Sequence, residues 1–153
     1  MSQLELSVTR LIAAPPVKVW DVMTTRIPEW WAPKPWRTEV GRLDRHPGGM
    51  SRLIMRGPEG EESAHDGFVL AWDEGRRFAF TDAIAGDRES GDLWPSGPFM
   101  LGIWEIAPEG TGTRYTARAR HWTPESMAHH KEMGFETGWG IVADQLKALC
   151  EAA

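Results

Sequence analysis

Asp82 and His121 are the two side chains whose types and settings could do acid–base chemistry. Asp82 follows Phe78 and Phe80 at strand spacing, so the three share a face and the carboxyl group ends an apolar row. A carboxyl group in such surroundings titrates above its ordinary range and can serve as a general acid or base. His121 closes a second inward row and could pair with it, as a cyclase, dehydratase or hydrolase would require. Asp82 has a structural alternative at the strand margin, where it would accept a backbone or indole N–H.

Other groups point away from chemistry. His129 and His130 are adjacent, and neighbouring helical residues point about 100° apart, so the two rings do not converge on one ion. The chain has no His-Glu-x-x-His and a single cysteine, so neither a metal nor any other cofactor is expected, and the histidines read as a solvated helix face. Arg114, Arg118 and Arg120 form a basic row without interleaved aromatics, which suits a solvated face or a subunit contact better than a nucleic-acid site. Gly110-Thr111-Gly112 precedes a strand, and no helix N-terminus is there to receive a phosphate. Cys150 has no activating neighbour and reads as structural.

Composition narrows the partners. The 153 residues suit one domain, and a net charge of −5 argues against general nucleic-acid binding. One cysteine excludes an internal disulfide framework and suits a reducing cytoplasm. The N-terminal residues lack a secretory pattern, and no apolar run is long enough to span a membrane. Nine tryptophans accompany one tyrosine, and Trp30, Trp31 and Trp36 fall within seven residues. So small a core can hardly bury all nine, so some must line a groove or an interface, and a homodimer is compatible with the surplus.

The elements that position these groups follow from periodicity. Residues 4–12 alternate as a half-buried strand in which Arg10 breaks the inward row, so either the strand bends there or the arginine reaches a polar partner. A helix from Pro15-Pro16 to Thr25 buries Val19, Trp20 and Met23, and a shorter helical turn follows at Pro28–Pro33. Strands come next at residues 40–45 and 50–56. In the following strand Asp66, Phe68, Leu70 and Trp72 share a side, and Phe78, Phe80 and Asp82 belong to the one after it. Residues 84–97 read as a loop carrying Trp94 in a mobile setting. Phe99 to Ile106 is apolar on both faces, as in a central strand. The last strand, residues 113–122, sets Tyr115, Ala117, Ala119 and His121 inward.

Thr123-Pro124-Glu125 starts a helix that can run almost to the C-terminus. Gly134, Gly138 and Gly140 interrupt it, each at up to about 1 kcal/mol against alanine. Three such losses call for close backbone approach or room for a guest. Two alanines opposite those glycines leave space, so a cavity between helix and sheet is expected. The plan is α+β, without repeat or linker.

Several segments occur in the order of a known family: Ile12-Ala13-Ala14-Pro15, Trp30-Trp31-Ala32-Pro33, Pro47-Gly48-Gly49, Met55–Gly60, Phe80–Ala83, and Met133-Gly134-Phe135 with Gly138-Trp139-Gly140. Together they resemble the bacterial proteins similar to the C-terminal domain of the activator of the Hsp90 ATPase, of the START-like, helix-grip (SRPBCC or Bet v 1-like) superfamily. The resemblance implies a seven-stranded antiparallel sheet around the C-terminal helix, two short helices after strand 1 and an apolar cavity. Relatives include lipid carriers, hormone receptors, aromatases and cyclases, and a co-chaperone with a separate N-terminal domain for its partner. That domain is not present in these residues, so an Hsp90-type chaperone is not the expected partner. The leading expectation is a cytoplasmic binder of an apolar or aromatic small molecule. Its walls would be Trp31, Trp36, Leu53, Met55, Phe68, Phe80, Trp94, Met100, Trp104, Met133 and Trp139, with Asp82 and His121 as orienting polar contacts. An enzyme using Asp82 and His121, and a protein-interaction module using exposed tryptophans, are the alternatives.

Overall fold

A computed structural model describes residues 4–87, 89–97 and 100–152. The elements run β1 (Glu5–Ile12), α1 (Pro16–Thr25), α2 (Ile27–Trp30), β2 (Arg37–Leu43), β3 (Met50–Arg56), β4 (Glu62–Asp73) and β5 (Arg77–Thr81). They continue β6 (Ile84–Asp87), β7 (Asp92–Pro95), β8 (Met100–Glu109), β9 (Gly112–His121), α3 (Pro124–Glu132) and α4 (Phe135–Glu151). Seven strands form one antiparallel sheet in the order β1-β9-β8-β5-β4-β3-β2. With the helices on its inner face, this is the helix-grip α+β arrangement. Among the described residues no helix is long and apolar enough to cross a membrane.

Three local features depart from the sequence reading. The expected single C-terminal helix is two, because Gly134 takes a left-handed conformation (φ 93°) that an L residue adopts only with strain. Thr123 caps the first of them as expected, its hydroxyl accepting the Ser126 N–H at 3.0 Å. The expected 84–97 loop contains the β6–β7 hairpin, a separate two-stranded sheet. In β4 the register shifts between Val69 and Ala71, so Leu70 is an extra residue. Val69 and Trp72 therefore both join the core, while Leu70 is exposed. Phe99, expected to open a central strand, lies outside the described residues.

The core fills one half of the inner face. Trp30, Trp104 and Tyr115 are fully buried there, with Trp30 4.8 Å from Trp104 and 6.1 Å from Tyr115 between ring centroids. Ile12, Ile106, Ala117, Val142, Ala143 and Leu146 complete this half. The inward row of β9 is buried as its alternation requires, but Ala117 and Ala119 do not open a hollow. Ala117 stands opposite Trp104 across the β8–β9 ladder, inside the aromatic core.

Polar contacts fix α4 over this half. Arg10, the odd residue in the inward row of β1, reaches Asp144 (Nε–Oδ1 2.6 Å) and the Gly140 carbonyl at 3.4 Å. Gln145 donates to the carbonyls of Trp30 and Ala32 and accepts the Lys34 N–H, tying α4 to the end of α2. The outer row of β9 is charge-balanced. Arg118 pairs with Glu5 and Glu105, Arg120 with Glu5, and Arg114 with Glu109.

Candidate ligand cavity

Part of the inner face over β3, β4 and β5 stays open, although Leu53, Val69 and Phe78 of these strands belong to the core. Leu53 and Met55 from β3, Gly67 from β4 and Phe80 and Thr81 from β5 floor a cavity of about 260 Å³. Trp31, His130, Met133 and Trp139 enclose it from the helical side. A second lobe of about 210 Å³ adds Pro33, Gly134, Phe135, Gly138 and Val142, and shares Trp31, Met55, His130, Met133 and Trp139 with the first.

Two glycines shape these walls. A Cβ on Gly67 would lie 2.3 Å from the Thr81 carbonyl oxygen, so β4 can approach β5 here only without a side chain. Gly138 is the reverse case, since a Cβ there would meet nothing within 4 Å. Its bare backbone leaves the second lobe open.

Seven of the residues expected from sequence line this space: Trp31, Leu53, Met55, Phe80, Met100, Met133 and Trp139. Asp82 lines it too. Its Oδ1 accepts the Met100 N–H at 2.9 Å, the marginal capping role the sequence allowed. Burial raises its pKa above the ordinary value, against the lowering effect of that N–H bond.

Other expected wall residues lie elsewhere. Trp104 faces inward but is covered, with Trp31 at 4.6 Å and Phe80 at 5.8 Å between ring centroids. Phe68 is opposite Met50 on the β3–β4 ladder, between the inward-facing Gly67 and Val69, so the alternation turns it to the outer face. Trp94 belongs to the β6–β7 hairpin and is 65% exposed, its indole N–H donating to Asp92. Trp36 is half-buried over the turn after β3, where a Cβ on Gly57 would approach its ring to 3.0 Å.

His121 is buried but does not reach Asp82. Nδ1 lies 3.1 Å from the Leu4 carbonyl oxygen and Nε2 lies 2.8 Å from Nδ1 of His130, so both ring nitrogens are engaged. His121 thus hydrogen-bonds His130 rather than Asp82, though a charge on its ring still acts on the Asp82 carboxyl.

His130 corrects the reading of the two helical histidines as a solvated face. His129 is exposed, but His130 is only 9% exposed and belongs to the wall common to both lobes. Its ring packs edge-on against Phe135 (5.1 Å) and Trp139 (6.0 Å). Burial, with His121 beside it, pushes its pKa down to about 4, so the ring is neutral near pH 7. Helical spacing sets the two rings about 100° apart, and the packing of α3 against β9 turns His130, not His129, toward His121. Among the described residues no three His, Cys, Asp or Glu side chains are grouped as a metal site would need.

The fold recurs in solved structures. A protein of Nitrosomonas europaea is 35% identical, with 97% of this chain and 95% of that one covered and a TM-score of 0.84. One of Mycobacterium smegmatis is 27% identical over 98% and 92% of the two chains, with a TM-score of 0.79. One of Arthrobacter aurescens, at 21% identity, 96% and 86% coverage and a TM-score of 0.81, shares the fold. No curated protein matches the chain. Residues 13–151 match the family described as Activator of Hsp90 ATPase homolog 1-like protein. With that match over most of its length, and the helix-grip fold around it, the chain belongs to the activator of Hsp90 ATPase homologue 1-like family of the START-like superfamily.

Proposed function

We propose that the protein is a cytoplasmic binder of a small aromatic molecule held between β3–β5 and the helical side of the cavity. The observation that carries this reading is the two-lobed, largely apolar space walled by Trp31, Phe80, Phe135, Trp139 and three methionines. Its size selects the guest. A dry cavity of about 150 Å³ holds benzene, whereas drug-sized ligands occupy about 300–1,000 Å³. Lobes of about 260 and 210 Å³ therefore suit one or two rings better than a long acyl chain. Methionine adds polarizable, adaptable surface against such rings.

The family's general capacity for hydrophobic ligands supports this reading, while Hsp90 enters only through the family name. Cys150, the single cysteine, is buried in α4, which suits a reducing compartment. The test is a tryptophan-fluorescence titration with one- and two-ring aromatics. Trp31 and Trp139 line the cavity, so a saturable change at micromolar ligand is expected from the wild type and not from Gly138→Leu. Equal responses from both proteins would reject the site.

A further inference from the structure

The carbonyl of Leu4 dictates where the protons of two buried histidines sit. A carbonyl oxygen can only accept, so Nδ1 of His121, 3.1 Å away, carries the hydrogen. In the neutral tautomer of His121 that this bond selects, Nε2 holds a lone pair. Nδ1 of His130, 2.8 Å from that lone pair, must then be the donor. His130 has spent its single proton on this bond, and its Nε2 is left as a bare acceptor. Protonation would be needed to change that, and burial holds the pKa of His130 down at about 4.

This Nε2 has no hydrogen-bond partner among the described residues. His130 is 9% exposed and sits on the wall common to both lobes. Its Nδ1 is held by His121 of β9, so Nε2 is the ring nitrogen left for a ligand. Nε2 is not among the fully buried unsatisfied side-chain atoms, so it is accessible, and an accessible acceptor on a largely buried residue can take a hydrogen bond from a guest.

Building on the proposed aromatic site, we propose that His130 Nε2 is the cavity's hydrogen-bond acceptor and that the ligand is a small aromatic bearing an O–H or N–H donor, of the phenol class. His121 is a positioning residue in this scheme: it touches no ligand and acts by fixing the tautomer of His130. Asp82, His65, Asp66, Ser51 and Thr81, on the wall of the larger lobe, are the other side chains able to accept such a donor.

Calorimetric titration with p-cresol and p-xylene tests the proposal, because the two have nearly the same shape and differ by one hydroxyl. The wild type should bind p-cresol about tenfold more tightly, the gain of roughly one net hydrogen bond. His130→Phe should bind p-xylene at least as well as p-cresol, and Asp82→Asn should keep the wild-type preference. Nitrogen-15 spectroscopy of the wild type supplies a readout that needs no variant: Nε2 of His130 should be unprotonated and should respond to p-cresol but not to p-xylene. Equal binding of the two by the wild type would overturn the proposal and leave the aromatic site standing. Loss of the preference in Asp82→Asn alone, or a protonated Nε2, would overturn it as well. Binding of neither compound would remove the aromatic site together with this inference.

Discussion

The ring of Phe80 lies directly over the backbone of Gly102, its partner across the β5–β8 ladder. A Cβ built on Gly102 would stand 2.4 Å from Cζ of Phe80. Glycine in a strand interior is ordinarily a weakness, but here it provides the seat for an aromatic wall of the cavity. Gly102→Ala should push Phe80 toward the empty space and destabilise the fold by about 1–3 kcal/mol, as overpacking does. Urea unfolding measures the loss, and ligand titration should show weaker binding from the narrowed lobe.

Gly134 and Gly138 lie one helical turn apart and should respond to alanine with opposite signs. Gly134 is left-handed, where an L side chain costs about 1–2 kcal/mol, so Gly134→Ala should lower the Tm. Gly138 is helical with open space beside it, so Gly138→Ala should gain up to about 1 kcal/mol and raise the Tm. Paired thermal scans read both changes. A drop for Gly138→Ala would mean that its surroundings are not open.

Acid should weaken the protein through His130. The imidazole titrates near 6.5 when unfolded and near 4 when folded, so between those values the unfolded chain holds more protons. The contribution is complete above pH 6.5 and is lost as pH falls toward 4. His121 from β9, the adjacent His129, His65 and Asp66 from β4, and Asp82 are the other titratable groups near this part of the wall. His130→Phe isolates the histidine's share: urea midpoints at pH 7, 5.5 and 4.5 should fall less steeply for the variant. Parallel slopes would contradict the burial argument.

Much of the architecture was legible because alternation and capping act locally. Tyr115, Ala117, Ala119 and His121 announce a buried row by spacing alone, and Thr123 announces a helix start. Arg10, out of place in its row, announced a bend or a polar partner, and has the partner in Asp144. The errors came from features that change the phase of a pattern. One extra residue at Leu70 moves Phe68 away from the face that Trp72 occupies. The left-handed Gly134 divides what helical periodicity reads as continuous. His130 was missed for a related reason: spacing separates it from His129 by an angle, and only the packing of α3 against β9 decides which ring turns inward. Trp104 shows the remaining limit, since facing inward does not say which of several layers a side chain occupies.

Methionine-methyl NMR tests the cavity most directly. Met55, Met100 and Met133 line it, whereas Met23 of α1 is buried in the core and Met50 faces Phe68 across the β3–β4 ladder. Titration of methyl-labelled protein with p-cresol should shift the Met55, Met100 and Met133 resonances together, along one saturation curve, and leave Met23 and Met50 in place. Shifts confined to Met50, or an unchanged spectrum at millimolar ligand, would contradict a ligand site on the β3–β5 half of the sheet.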